Sequence, residues 1–239
     1  MDDSNPFEAT RPLPTATRPL LGQTILVVED SRYACDAIRL MCLHSGARIR
    51  RADCLTSARR HLKIYRPSVI LVDMGLPDGP GADLIAELNE ASPRIGVILG
   101  LSGDDCAEQL AMQAGADGFL NKPLNSLACF QRTILELLPE DRRPGGLHAI
   151  QDEVIRPDPM AYQDDMAHIA DVLAGPNDHR TLDYAAQFLT GVARDAEDTV
   201  LADAAQKLAA SRAAGAPVTA RAAQVAGIVQ SRLQQREAI

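Results

Sequence analysis

Thr24-Ile25-Leu26-Val27-Val28-Glu29-Asp30 is a run of β-branched and aliphatic residues closed by two acids. Downstream, Ser68-Val69-Ile70-Leu71-Val72-Asp73-Met74 repeats the design with one acid. Apolar runs of this length, without polar alternation, predict strands buried on both faces of a parallel sheet. In open parallel sheets ligands bind outside the carboxyl ends of the strands, which is where Glu29, Asp30 and Asp73 fall. Carboxylates brought that close raise one another's pKa, and a hard, oxygen-seeking cation such as Mg2+ relieves the repulsion.

Two more segments end at the same sheet edge. Ile95-Gly96-Val97-Ile98-Leu99-Gly100-Leu101 exits into Ser102-Gly103, a hydroxyl followed by a small residue. After a helical stretch and the turn Ala114-Gly115-Ala116-Asp117-Gly118 comes Phe119-Leu120-Asn121-Lys122-Pro123. A lysine closing a buried strand needs a counter-charge, because an unpaired buried ammonium is expensive. The acidic cluster, or an anion bound there, is the partner expected for Lys122. Taken singly, each residue has an ordinary explanation: a helix-dipole pair for Glu29-Asp30, a turn for Asp73, a cap for Ser102, a solvated cation for Lys122 and core packing for Phe119.

An acid pair, an acid, a hydroxyl and a Lys-Pro, each closing a successive apolar strand, resemble the receiver domain of bacterial two-component response regulators. The resemblance covers about half the chain and implies a flavodoxin-like (βα)5 doubly wound parallel sheet over residues 22–139. It further implies that Asp73 is the phosphoacceptor, taking a phosphoryl group from a phosphohistidine on a sensor histidine kinase or a histidine phosphotransfer protein. Glu29, Asp30, Asp73 and the backbone carbonyl of Gly75 would hold Mg2+. Lys122 would bind the phosphoryl oxygens, Ser102 would hydrogen-bond them after transfer, and Phe119 would be the aromatic that moves inward with Ser102. The interval from Ser102 to Lys122 is shorter than the family pattern, which puts the usual dimer geometry in doubt. Asp104 and Gly75 stand where the family tunes dephosphorylation.

The 239 residues suit two small domains, with 46% apolar residues for a core but only 3% aromatic. Net charge is −8, and the five cysteines include no Cys-x-x-Cys pair. Reduced core thiols in a cytoplasmic protein fit this usage better than disulfides or zinc ligands. No apolar run is long enough to span a membrane, and the N-terminus has no signal-peptide core.

Residues 1–21, with the repeated Ala-Thr-Arg-Pro-Leu at 9–13 and 16–20, predict a flexible Pro/Thr-rich leader. A charged, Pro/Gly-rich linker spans 140–159. From Met160 the sequence turns Ala-rich and helical, with helices expected at 160–174, 179–192, 194–213 and 218–236. The second and third are expected to merge into one bent helix across Gly191 or to stand apart. An all-α hairpin or bundle follows, whose narrow apolar stripes call for burial on itself, on the receiver or on a second copy.

Three roles suit this tail. It can be a homodimerisation or partner-binding module switched by the receiver. DNA binding is disfavoured, since the tail is acidic overall and shows no helix-turn-helix, although Lys207, Arg212, Arg221, Arg232 and Arg236 make its end locally basic. The third is a degenerate phosphotransfer-like bundle. His168 and His179 are its candidate histidines, but neither has the Lys-Gly context of histidine phosphotransfer domains.

Overall fold

The computed structural model describes residues 12–104, 106–145, 153–175 and 178–234. Strands β1 (Thr24–Val28), β2 (Arg48–Ala52), β3 (Val69–Asp73), β6 (Val97–Ser102) and β7 (Gly118–Asn121) form one parallel sheet in the order β2-β1-β3-β6-β7. A two-residue hairpin, β4 (Gly75–Leu76) with β5 (Gly79–Pro80), lies just beyond β3. Helices α1 (Arg32–Ser45), α2 (Leu55–Ile64), α3 (Gly81–Glu90), α4 (Ala107–Gln113) and α5 (Leu127–Leu137) alternate with the strands.

Every residue of β3 and β6 is buried, as their unbroken apolar runs predict. β2 is different: Arg48-Ile49-Arg50-Arg51-Ala52 is an edge strand that buries only its last residue. Two apolar clusters cover the two faces of the sheet, one around Ile38, Leu71 and Phe130, the other around Ile70, Ile85 and Ile98. Leu20 is fully buried in the first cluster, so the packed body reaches upstream of residue 22 into the segment read as leader. Residues 1–11 of that segment, which include the first three residues of the first repeat copy, lie outside the described residues.

Within the linker, Leu127 N donates to Glu153 O at 3.1 Å and Ile155 N to Asn125 O at 2.8 Å, pinning residues 153–155 to the start of α5. Beyond it stand α6 (Pro159–Ala174), α7 (His179–Asp195), α8 (Thr199–Ala213) and α9 (Thr219–Gln234). α6 packs on α7 and α9, and α8 packs on α7 and α9, so the four close into a bundle. α7 and α8 are separate helices, but the break falls at 196–198 and Gly191 lies inside α7. Glu197 takes a left-handed φ of 57°, and the Asp198 carboxylate caps α8 through Leu201 N at 3.1 Å. Asp198 also receives Tyr162 of α6 and Arg232 of α9, which fixes the chain reversal at that point.

The bundle is seated on the receiver at the carboxyl edge of the sheet. Asp165 of α6 accepts from Ser31 Oγ (2.7 Å), Arg32 N (2.7 Å) and Tyr33 N (3.0 Å). A carboxylate from the second domain thus satisfies the free N–H groups and the positive end of α1. Arg32 completes the contact with Asp164 at 2.7 Å.

Candidate functional site

β1 and β3 are neighbours, so their exits set Glu29 and Asp30 beside Asp73. One oxygen from each of the three carboxylates lies within 4.8 Å of the others. β6 and β7 continue the sheet, carrying Ser102 and Lys122 to the same edge, with Lys122 N bonded to Ser102 O at 2.9 Å. Gly81 permits the tight path after β3, because a methyl group there would overlap the Asp73 carbonyl.

Lys122 is buried, with Nζ 2.7 Å from Glu29 Oε2 and 3.6 Å from Asp73 Oδ2. Burial alone would lower its pKa, but the charges of Asp73 and Glu29 outweigh that and hold it well above the usual lysine value. Asp73 moves the other way from an ordinary carboxylate: burial, then the charge of Glu29, raises it strongly against the pull of Lys122. Asp30 is pushed up to about 7 by burial and by Glu29. Raised carboxylate pKa values around one point mark a place where positive charge is in demand. The oxygen donor set suits a hard divalent cation, so these residues fit Mg2+. Ser102 is buried, and its Oγ accepts from Asp104 N at 3.1 Å.

Glu29, Asp30, Asp73, Gly75, Ser102 and Lys122 therefore line one small cavity. Phe119 does not join them. Its half-buried ring packs over Gly100 and Ala111, against the apolar cluster beneath α4. His168 and His179 are also elsewhere: His168 Nε2 is 3.1 Å from the Tyr184 hydroxyl at an outer cleft, and His179 sits beside Arg212.

α7 forms the remaining wall of the cavity, with Gln187, Phe188, Gly191 and Val192. The Tyr184 hydroxyl donates to Asp30 Oδ2 at 2.6 Å. A methyl group on Gly75 would overlap the Gln187 amide, and one on Gly191 would meet the Lys122 ammonium at 3.7 Å. At the end of the helix, Asp195 Oδ1 accepts from Leu124 N at 3.3 Å, and burial, followed by the charge of Glu29, raises its pKa to about 7. Sequence reasoning missed these groups. A signal was there: Tyr184, Gln187, Gly191 and Asp195 recur every three to four residues, so one polar, small-residue face runs along α7.

Residues 25–133 match the family model of the response regulator receiver domain. This segment is a receiver domain. The KDP operon transcriptional regulatory protein KdpE of Escherichia coli is 30% identical over 99 residues, covering 41% of this chain and 44% of that protein. The probable transcriptional regulatory protein TcrX of Mycobacterium tuberculosis is 28% identical over 123 residues, 51% of each chain. The chain thus spans about half the length of these relatives, and the receiver domain accounts for the shared part. Among solved structures, a response regulator from Chloroflexus aurantiacus aligns at 24% identity and a TM-score of 0.46, over 48% of this chain and 96% of that one. The receiver domain of a sensor histidine kinase from Pseudomonas aeruginosa, crystallised with magnesium in its active-site cleft, aligns at 28% identity and 0.44, over 48% and 96%. The α6–α9 bundle lies beyond the family match. Among the described residues no helix is long and apolar enough to cross a membrane.

Proposed function

We propose that this receiver domain is the phosphoacceptor of a phosphorelay, with Asp73 taking the phosphoryl group from a phosphohistidine of a sensor histidine kinase or histidine phosphotransfer protein. A carboxylate oxygen of Asp73 attacks phosphorus, the phosphorus–nitrogen bond to the donor breaks, and its electron pair stays on the imidazole. The single observation that supports this reading best is the Lys122 ammonium, buried between Glu29 and Asp73 at 2.7 and 3.6 Å. It holds Asp73 near a fixed positive charge and can follow the charge that develops on the transferring oxygens. Glu29, Asp30, Asp73 and the Gly75 carbonyl would hold Mg2+, which when bound neutralises further phosphoryl charge. Ser102 would hydrogen-bond the phosphoryl group on Asp73, and Phe119, packed over Gly100, would answer that movement by steric means.

The helical bundle is the output that this chemistry switches, through its contacts with the acidic edge of the receiver. Incubation with a small acyl phosphate and Mg2+ should place an acid-labile and base-labile phosphoryl label on the wild-type chain and none on Asp73→Asn. Equal labelling of the variant would reject Asp73 as the acceptor.

A further inference from the structure

The chemistry assigned to Asp73 requires a phosphodonor, such as a phosphohistidine helix, to approach the face that α7 already covers. In-line transfer needs an imidazole nitrogen, the phosphorus and the Asp73 oxygen in one row, with the donor directly over the mouth of the site. That position is held by α7. Its polar face places Tyr184 on Asp30, Gln187 against Gly75 and Gly191 against Lys122. Contact continues at Gly103, where an added methyl group would meet Gly191 and Arg194 at 3.5 to 3.7 Å. Asp165 at the start of α1 and Asp195 at Leu124 N secure the bundle on either side. The space left above Asp73 is about 20 Å3, which is room for about one water molecule and not for a phosphoryl group with its donor.

Of the four α7 residues that line the cavity, Gln187, Phe188, Gly191 and Val192, Gln187 is the one with a polar side chain, and its amide lies against Gly75. Its amide has the reach of an imidazole and the same capacity to hydrogen-bond, but its nitrogen is not a nucleophile and carries no transferable phosphoryl group. The bundle's two histidines, His168 and His179, line no part of this cavity. We propose that the helical bundle is an internal stand-in for the phosphodonor. It docks on the receiver as a donor helix would, with Gln187 at the donor histidine's station, and it excludes an external donor until it swings away. This inference rests on Asp73 being the phosphoacceptor.

Two measurements on the full chain test it. In the first, Asp73 is charged with radiolabelled acetyl phosphate and Mg2+, the donor is removed, and alkali is used to strip aspartyl phosphate. Gln187→His should retain base-stable label, because the introduced imidazole nitrogen attacks phosphorus while the bond to Asp73 breaks and its electron pair returns to the carboxylate. Wild type and Gln187→His/Asp73→Asn should retain none. In the second, Asp165→Ala, which removes three receiver contacts at the start of α1, should raise the rate of Asp73 labelling about tenfold or more by increasing the open population.

Base-labile label on Asp73 of Gln187→His with no base-stable label would overturn the proposed station of Gln187, leaving Asp73 as acceptor intact. A labelling rate unchanged in Asp165→Ala would overturn the exclusion. Absence of any label on Asp73 in every variant would reject the phosphoacceptor reading itself, and this inference with it.

Discussion

Tyr184, on the helical bundle, donates its hydroxyl hydrogen to Oδ2 of Asp30, on the receiver, at 2.6 Å. The bond ties the seating of one domain to an acid of the carboxylate cluster of the other. Tyr184→Phe removes a hydrogen bond to an ionisable acceptor, a loss of about 1.5–3 kcal/mol where the acceptor stays buried. A cation on Asp30 would compensate part of that loss. The variant should therefore melt lower than wild type by a larger margin in EDTA than in Mg2+. Equal margins in the two conditions would mean that Tyr184 and the cation do not share Asp30.

Lys122→Ala leaves Glu29 and Asp73 buried without their counter-charge. Removing one partner of such a pair costs about 3–5 kcal/mol. Mg2+ can replace the missing charge, so denaturant unfolding should show Mg2+ stabilising the variant more than wild type. Beryllofluoride with Mg2+ should then shift the bundle less than it does in wild type, since Lys122 is the group assigned to sense the phosphoryl oxygens. A normal conformational response in this variant would remove Lys122 from the switch.

Asp195 supplies a pH dependence with a definite sign. Its pKa is raised from 3.8 to about 7 by burial first and by the charge of Glu29 next, against the attraction of Lys122. A carboxyl raised by folding contributes stability that is fully present below its unfolded pKa and lost as pH rises through the folded one. Wild type should lose that contribution between about pH 4 and about pH 7, by up to roughly 4 kcal/mol. Asp195→Asn cannot ionise. The difference in unfolding free energy between variant and wild type should shift in the variant's favour across that window, and a constant difference would show that Asp195 does not titrate there.

Gly191 lies within α7 and meets Lys122 only at ordinary contact distance. Gly191→Ala should accordingly gain about 0.5–1 kcal/mol from helix propensity, read by denaturant unfolding. A branched side chain at the same position should instead prise α7 from the receiver. If Gly191→Ala destabilises, the close approach of α7 to Lys122 is tighter than ordinary contact.

How far the sequence disclosed the molecule follows from which forces leave a local trace. β1, β3 and β6 are buried on both faces, so their residues are apolar without interruption and their acidic or hydroxyl ends stand out. The receiver fold and the convergence of Glu29, Asp30, Asp73, Ser102 and Lys122 were legible for that reason. β2 was not, because an edge strand written Arg-Ile-Arg-Arg-Ala hides its partner-dependent burial. The boundary between α7 and α8 was misplaced because Gly191 looks like a breaker, whereas the turn is made by Glu197 in a left-handed conformation with Asp198 as cap. Docking of the bundle was the least visible feature. Asp165 follows Asp164 and reads as part of a solvated acidic pair, and only the three N–H and O–H donors at the start of α1 explain its burial.

Hydrogen–deuterium exchange of the α7 amides between Tyr184 and Asp195 tests most directly that occupation of the Asp73 site moves the helical bundle. It should be measured in wild type and Asp73→Asn, in Mg2+ with and without beryllofluoride. The account predicts that beryllofluoride speeds exchange across this segment in wild type and leaves Asp73→Asn unchanged. Protection of α7 that is identical in all four samples, with beryllofluoride bound to wild type, would contradict it.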